Sequence, residues 1–119
     1  MDLKKYDLDC FKDSLSKLGL TFTEFQLQQF MQYYELLIKW NSFMNLTAIT
    51  EFQEVCTKHF IDSLSLCKAM DCTKDISMID VGTGAGFPGI PLKIAFPNLR
   101  ITLLDSLGKR VKFLKEVIE

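Results

Sequence analysis

The chain has 119 residues, 48% of them hydrophobic and 24% charged, and its 14 Lys and Arg against 15 Asp and Glu leave a net charge of −1. That suffices for one small domain with a modest core, and the charge balance excludes a strongly basic nucleic-acid module while leaving room for a local basic patch. Charges interrupt every apolar run short of a membrane span, MDLKKYDLDC lacks a signal peptide's apolar centre, and the four cysteines form no C-x-x-C pair, so a cytoplasmic protein with reduced thiols and neither zinc nor a redox motif is expected.

In chain order, Leu3 to Leu18 carries Leu8, Phe11, Leu15 and Leu18 at helical spacing, with Gly19 as a stop. Thr23 and Gln26 form a capping box, with Phe22 and Leu27 placed as its hydrophobic staple. Leu27, Phe30, Met31, Tyr34, Leu37 and Ile38 then mark one face of a helix running to about Trp40 or Phe43. Asn41 and Asn45 suit its end, as caps or as substrate contacts. Thr50 with Gln53 predicts a second capping box opening a short helix to about Thr57, followed by a separate helix over Phe60 to Met70 with Leu64 and Cys67 inward. Lys58, His59, Asp62 and Ser63 fall at that junction. A histidine beside a carboxylate suggests acid or base chemistry, but a structural hydrogen bond is the commoner role, and no serine, histidine and acid set emerges.

After the loop at 71–75 the pattern becomes β, helix, β. Strand one is predicted over Ile76 to Val81, a helix over Gly89 to Phe96, and strand two over Arg100 to Leu104, ending in Asp105. One βαβ unit implies a right-handed crossover and a parallel sheet. Pro88 and Pro91 suit the helix start, and Pro97 with Asn98 breaks it. Ser106 to Glu119 reads as a final helix with Leu107, Val111, Leu114 and Ile118 on one face. The chain thus divides into a helical region, 1–75, and the start of a sheet domain, 76–119.

The stretch IDVGTGAGFPGIP joins the first strand to its helix. Glycines there allow positive φ and close approach of a ligand, and free N–H groups at a helix start favour a polar one. A phosphate-binding P-loop is excluded, because Gly89 precedes Ile90 and Pro91 rather than Lys and Ser or Thr. Gly84, Gly86 and Gly89 do supply G-x-G-x-x-G with Asp105 further on, so a dinucleotide-dependent oxidoreductase is one reading. Asp80 opposes it, since its charge would repel a pyrophosphate and attract a cationic ligand such as S-adenosylmethionine. Asp80 has an alternative use in bracing the loop through backbone N–H groups. Asp105 can accept both ribose hydroxyls of an adenosine or cap the last helix.

The pattern of Asp80, Gly82, Gly84 and Gly86, D-x-G-x-G-x-G, resembles the first motif of class I S-adenosylmethionine-dependent methyltransferases. WNSFMNLT (Trp40 to Thr47), KHFIDS (Lys58 to Ser63), DVGTGAGFPGIPL (Asp80 to Leu92) and LLDSLGKRVKFL (Leu103 to Leu114) together resemble the glucose-inhibited division protein B family, also called RsmG, from about Gln32 onward. These are bacterial methyltransferases of small-subunit ribosomal RNA. The resemblance implies an α/β fold, with an N-terminal helical layer and then the first βαβα part of a class I, Rossmann-like sheet. That sheet resembles seven strands against two here, so the chain is expected to be the N-terminal portion of a longer protein, inactive alone, with apolar surface exposed where strands would pack. By resemblance, S-adenosylmethionine is the cofactor, held at Asp80, Gly82, Gly84, Gly86, Phe87, Asp105, Ser106 and Leu107. The acceptor is N7 of a guanine, whose lone pair needs no general base, so no catalytic residue is assigned. Lys109 and Arg110 are expected on RNA phosphates, with Lys112 and Lys115 a solvated face. The partner is the small-subunit RNA or subunit, without membrane or metal. A non-catalytic interaction fragment is a further alternative.

Overall fold

The structure, a computed structural model, describes residues 6–105 and 108–118. Helix α1 (Asp9–Lys17) buries Phe11 and Leu15. It ends as expected at Gly19, whose φ of 76° lets Leu20 N–H reach back to Leu15 O at 2.9 Å. In α2 (Glu24–Met44) the capping box is realised: Gln26 N donates to Thr23 Oγ1 (3.1 Å) and Thr23 N to Gln26 Oε1 (2.9 Å). Asn45, left-handed at φ 53°, closes the helix. The ring of Phe22 stacks on Phe30 at 5.3 Å.

Two expectations for the next segment are corrected. The helix cap is Glu51, not Thr50: its carboxylate accepts from Gln53 N (3.0 Å) and Glu54 N (2.8 Å), and a charge at a helix N-terminus outcompetes a hydroxyl one residue earlier. The two expected helices are one continuous run, made of α3 (Phe52–Val55), a π-helical turn (Cys56–Ile61), α4 (Asp62–Leu64) and a 3₁₀ turn (Ser65–Lys68). No glycine or proline interrupts it, and the changes of pitch keep Val55, Cys56, Phe60 and Leu64 all buried. Cys67 is only half-buried.

Strands β1 (Ser77–Val81) and β2 (Arg100–Leu104) pair in parallel, from Ser77 opposite Arg100 to Val81 opposite Leu104. Between them α5 (Gly89–Ala95) buries Ile90, Pro91, Leu92 and Ile94. The sheet is covered on the side of Met78, Asp80, Ile101 and Leu103 and open on the other, where Ile79 is 65% and Val81 77% exposed. That open apolar face was expected. Helix α6 (Gly108–Ile118) corrects the predicted apolar face, because it buries Phe113 and Leu114 while Ile118 is exposed. Phe113 reaches the rings of Trp40 and Tyr33, which sets the rotation of the helix.

One core joins these layers, with Phe11, Phe30, Tyr33, Phe60 and Phe113 at its centre. Polar bonds cross the same boundary: Tyr33 Oη donates to Ala85 O, and Gln26 Nε2 donates to Ile94 O (3.1 Å) and Ala95 O (3.3 Å). Among the described residues no helix is long and apolar enough to cross a membrane, and no group of His, Cys, Asp or Glu could hold a metal ion.

Candidate functional site

The glycine loop folds over the carboxyl end of the sheet. Gly82 N and Thr83 N both donate to Leu104 O, at 2.8 and 3.0 Å, which ties the loop's first turn to the last residue of β2. The glycines divide by role. A Cβ at Gly82 or Gly84, both at positive φ, would meet nothing within 4 Å, so this backbone is open to an approaching group. At Gly86 and Gly89 the space is already taken. A Cβ on Gly86 would lie 2.5 Å from Ile90 Cδ1, and one on Gly89 2.5 Å from Leu103 Cδ2.

Asp80 acts within the loop. Its Oδ2 accepts from Thr83 Oγ1 at 2.6 Å and from Gly89 N at 3.0 Å, pinning the loop and the first N–H of α5 to β1. Its charge also adds to burial, the larger cause, in pushing the Tyr33 hydroxyl well above its ordinary value. Of the two uses expected for Asp80, the geometry displays the brace. Asp105 is engaged in a related way. Its side chain is only 2% exposed, and Oδ2 accepts from Gly84 N at 2.9 Å while Arg110 Nη1 lies 3.5 Å away. Arg110, expected on RNA, is therefore turned toward the loop's own carboxylate. Ser106, Leu107 and the side chain of Lys109 lie outside the described residues.

Phe87 faces the helical layer. Its ring stacks on the His59 imidazole at 4.3 Å and 12°, with Tyr33 at 5.7 Å and Phe60 at 6.2 Å. His59 Nε2 is within 2.9 Å of Thr47 Oγ1, Ile49 N donates to the same hydroxyl oxygen, and Thr47 N donates to Asn41 Oδ1 at 2.8 Å. Burial lowers the His59 pKa, partly offset by the Asp62 carboxylate. Beside Phe87 and Pro88 an open recess of about 420 Å³ is lined by Asp62, Ser63, Ser65 and Leu66. Sequence reasoning placed His59, Asp62 and Ser63 at a helix junction and missed that they face the loop.

With this geometry in hand, comparison with known families is decisive: the family of rRNA small subunit methyltransferase G, GidB, matches residues 26–119. The chain belongs to this family. It is similar to the ribosomal RNA small subunit methyltransferase G of Lachnoclostridium phytofermentans, 58% identical over 112 residues, which are 94% of this chain and 46% of that protein. The protein of the same name from Alkaliphilus metalliredigens is 58% identical over 106 residues (89% and 44%), and that from Staphylococcus saprophyticus 52% over 105 (88% and 44%). The chain therefore spans under half the length of these relatives.

In this member of the methyltransferase G family, segments far apart in sequence converge. Asn41 and Thr47 from the first, His59 from the second and Phe87 from the third form one chain of contacts, and Asp105 and Arg110 from the fourth close the far side of the loop.

Proposed function

We propose that this chain forms the glycine-loop side of an S-adenosylmethionine site in a cytoplasmic methyltransferase that modifies N7 of a guanine in small-subunit ribosomal RNA. The observation that carries the reading is the open backbone at Gly82 and Gly84, bordered by Asp105 at the carboxyl end of β2, in a chain of this family. Ligands of open α/β sheets bind at that end of the strands. Asp80, Asp105 and Asp62 surround the loop with negative charge, which disfavours a pyrophosphate and suits a cofactor bearing sulfonium and ammonium groups.

Bound there, S-adenosylmethionine would supply an electrophilic methyl group. The residues of this chain hold and orient. Asp80 fixes the loop, Gly82 and Gly84 give close access, Gly86 lets the loop pack against Ile90 and Tyr33 behind them, and Phe87 flanks the adenosine or methionine portion. Asp105 would take the ribose hydroxyls as its bonds to Gly84 and Arg110 give way, with Ser106 and Leu107 beside it. The acceptor nitrogen would bring its own lone pair, so no side chain of this chain would need to move a proton, and its residues would contribute alignment and exclusion of water. Lys109 and Arg110 at the start of α6 are the proposed phosphate contacts, within a sheet domain at 76–119 that follows the helical region at 1–75.

Calorimetric titration with S-adenosylmethionine, S-adenosylhomocysteine and NAD tests the cofactor reading; tighter binding of NAD would overturn it. A chimera of this chain followed by the part of the Lachnoclostridium protein that it does not match tests the reaction. Labelled methyl is expected at a guanine N7 of unmethylated small subunits, and label at another atom would refute the assignment.

A further inference from the structure

We propose that the recess between the helical run and the glycine loop receives the amino-acid end of the cofactor, with the Asp62 carboxylate accepting from its ammonium group and the Ser63 hydroxyl donating to its carboxylate. This rests on the S-adenosylmethionine reading and relocates the cationic contact that the sequence assigns to Asp80.

Asp80 is a poor partner for an incoming ammonium, because its Oδ2 already accepts from Thr83 and Gly89. Asp62 is differently placed. It is exposed and lines the recess together with Phe87 and Pro88, the last residues of the loop, and its carboxylate takes no hydrogen bond or ion pair from a described residue. The cationic or titratable residues just before it on the same run are otherwise used: Lys58 pairs with Glu54 at 3.3 Å, and His59 Nε2 shares a hydrogen bond with Thr47 Oγ1. Ser63 is the second, independent sign. It is 6% exposed and lines the recess, yet its hydroxyl bonds to no described residue. Among the described residues no buried side-chain nitrogen or oxygen lacks a partner, so this hydroxyl is not sealed in the core but stays open to an incoming group.

The remaining lining selects the ligand's chemistry. Among the described residues no lysine or arginine lines it, so a phosphate or an RNA backbone would find no counter-charge there, whereas a zwitterion finds an acceptor at Asp62 and a donor at Ser63. Leu66, Pro88 and Phe87 supply apolar wall for the methylene carbons. At about 420 Å³ and open on one side, the recess holds such a group with room for water. Phe87, clamped between His59 and the core rings, gives it a fixed wall.

The test compares ligands that share the nucleoside and differ at the amino-acid end. In Asp62→Asn, affinity for S-adenosylmethionine and for S-adenosylhomocysteine is expected to fall by about 10- to 100-fold, the worth of one charge-assisted hydrogen bond. Affinity for 5′-methylthioadenosine, which lacks the amino acid, is expected to stay within about twofold. Ser63→Ala should show the same pattern with a smaller loss, and circular dichroism confirms that both variants fold. An equal loss for all three ligands, or none, would overturn the proposal. So would a loss confined to S-adenosylmethionine, which would put Asp62 at the sulfonium. If the unmutated chain binds 5′-methylthioadenosine but neither cofactor form, the recess assignment fails alone; if it binds none of the three, the cofactor reading itself fails.

Discussion

Gly89→Ala puts one carbon where helix, strand and carboxylate meet. The added Cβ would stand 2.5 Å from Leu103 Cδ2, 3.0 Å from Asp80 Oδ2 and 3.3 Å from Ile101 Cγ2. Leu103 and Ile101 belong to the covered face of β2, so relief requires α5 to lift off the sheet. That movement also stretches the 3.0 Å bond from Gly89 N to Asp80. Overpacking costs about 1–3 kcal/mol, and a strained charge-assisted bond costs part of a further 1.5–3 kcal/mol, roughly. Since one displacement causes both, they do not simply add, and a net loss of about 2–4 kcal/mol is expected. With an unfolding entropy of about 2.1 cal/mol/K per residue over 119 residues, a loss near 3 kcal/mol lowers Tm by about 12 °C. Gly84→Ala is the control. Its Cβ meets nothing, so only the left-handed backbone at φ 62° is penalised, by about 1–2 kcal/mol. Thermal and urea unfolding followed by circular dichroism reads both variants. A Gly89→Ala protein as stable as the parent, or more stable than Gly84→Ala, would refute the close-packing argument.

Asp80→Ala removes the acceptor for both Thr83 and Gly89, so urea unfolding should show a loss of about 2–4 kcal/mol with no ligand added; unchanged stability would mean the brace carries no weight. Val81→Lys charges the open sheet face at a position 77% exposed, and should leave Tm nearly unchanged while weakening concentration-dependent self-association in sedimentation velocity; stronger association would contradict an apolar contact there. The Cys56 thiol is pushed up to about 12 by burial, with a smaller push from Glu51. The folded state thus keeps a proton that the unfolded chain releases near 9.0, so this contribution is complete below pH 9 and is lost as pH rises toward 12. Urea midpoints should fall between pH 8 and pH 10.5, less so in Cys56→Ala, and an equal fall in both would remove Cys56 as a cause.

Elements with covalent punctuation were legible. Thr23 and Gln26, Gly19, Pro97 with Asn98, and the run from Arg100 to Leu104 announce their roles locally, and the structure places those boundaries within a residue or two. What failed depends on neighbours remote in sequence. A π-helical turn at Cys56–Ile61 looks like a gap between two helices, because a change of pitch shifts the apolar spacing as a break would. The face of α6 was misjudged because Phe113 follows Trp40 and Tyr33 rather than its own helix's periodicity. The glycine loop was recognised from its spacing, but spacing is silent on which glycines are open and which are filled. It is equally silent on Asp62 and Ser63, which reach the loop only through the packing of α4 against α5.

Gln26 shows how the two halves of the chain depend on each other. Its Oε1 completes the cap of α2, and its Nε2 satisfies carbonyls at the end of α5, 68 and 69 residues later. One amide therefore serves the start of one helix and the end of another, and it can do so fully only once the strands have brought α5 into place. The first helix-start signal in the chain is thereby coupled to one of the longest-range contacts in the fold, so early local order in α2 gains its full stability late. Such coupling lengthens the average sequence separation of stabilising contacts, which slows folding, and it makes fraying of α5 and opening of the α2 cap a single event.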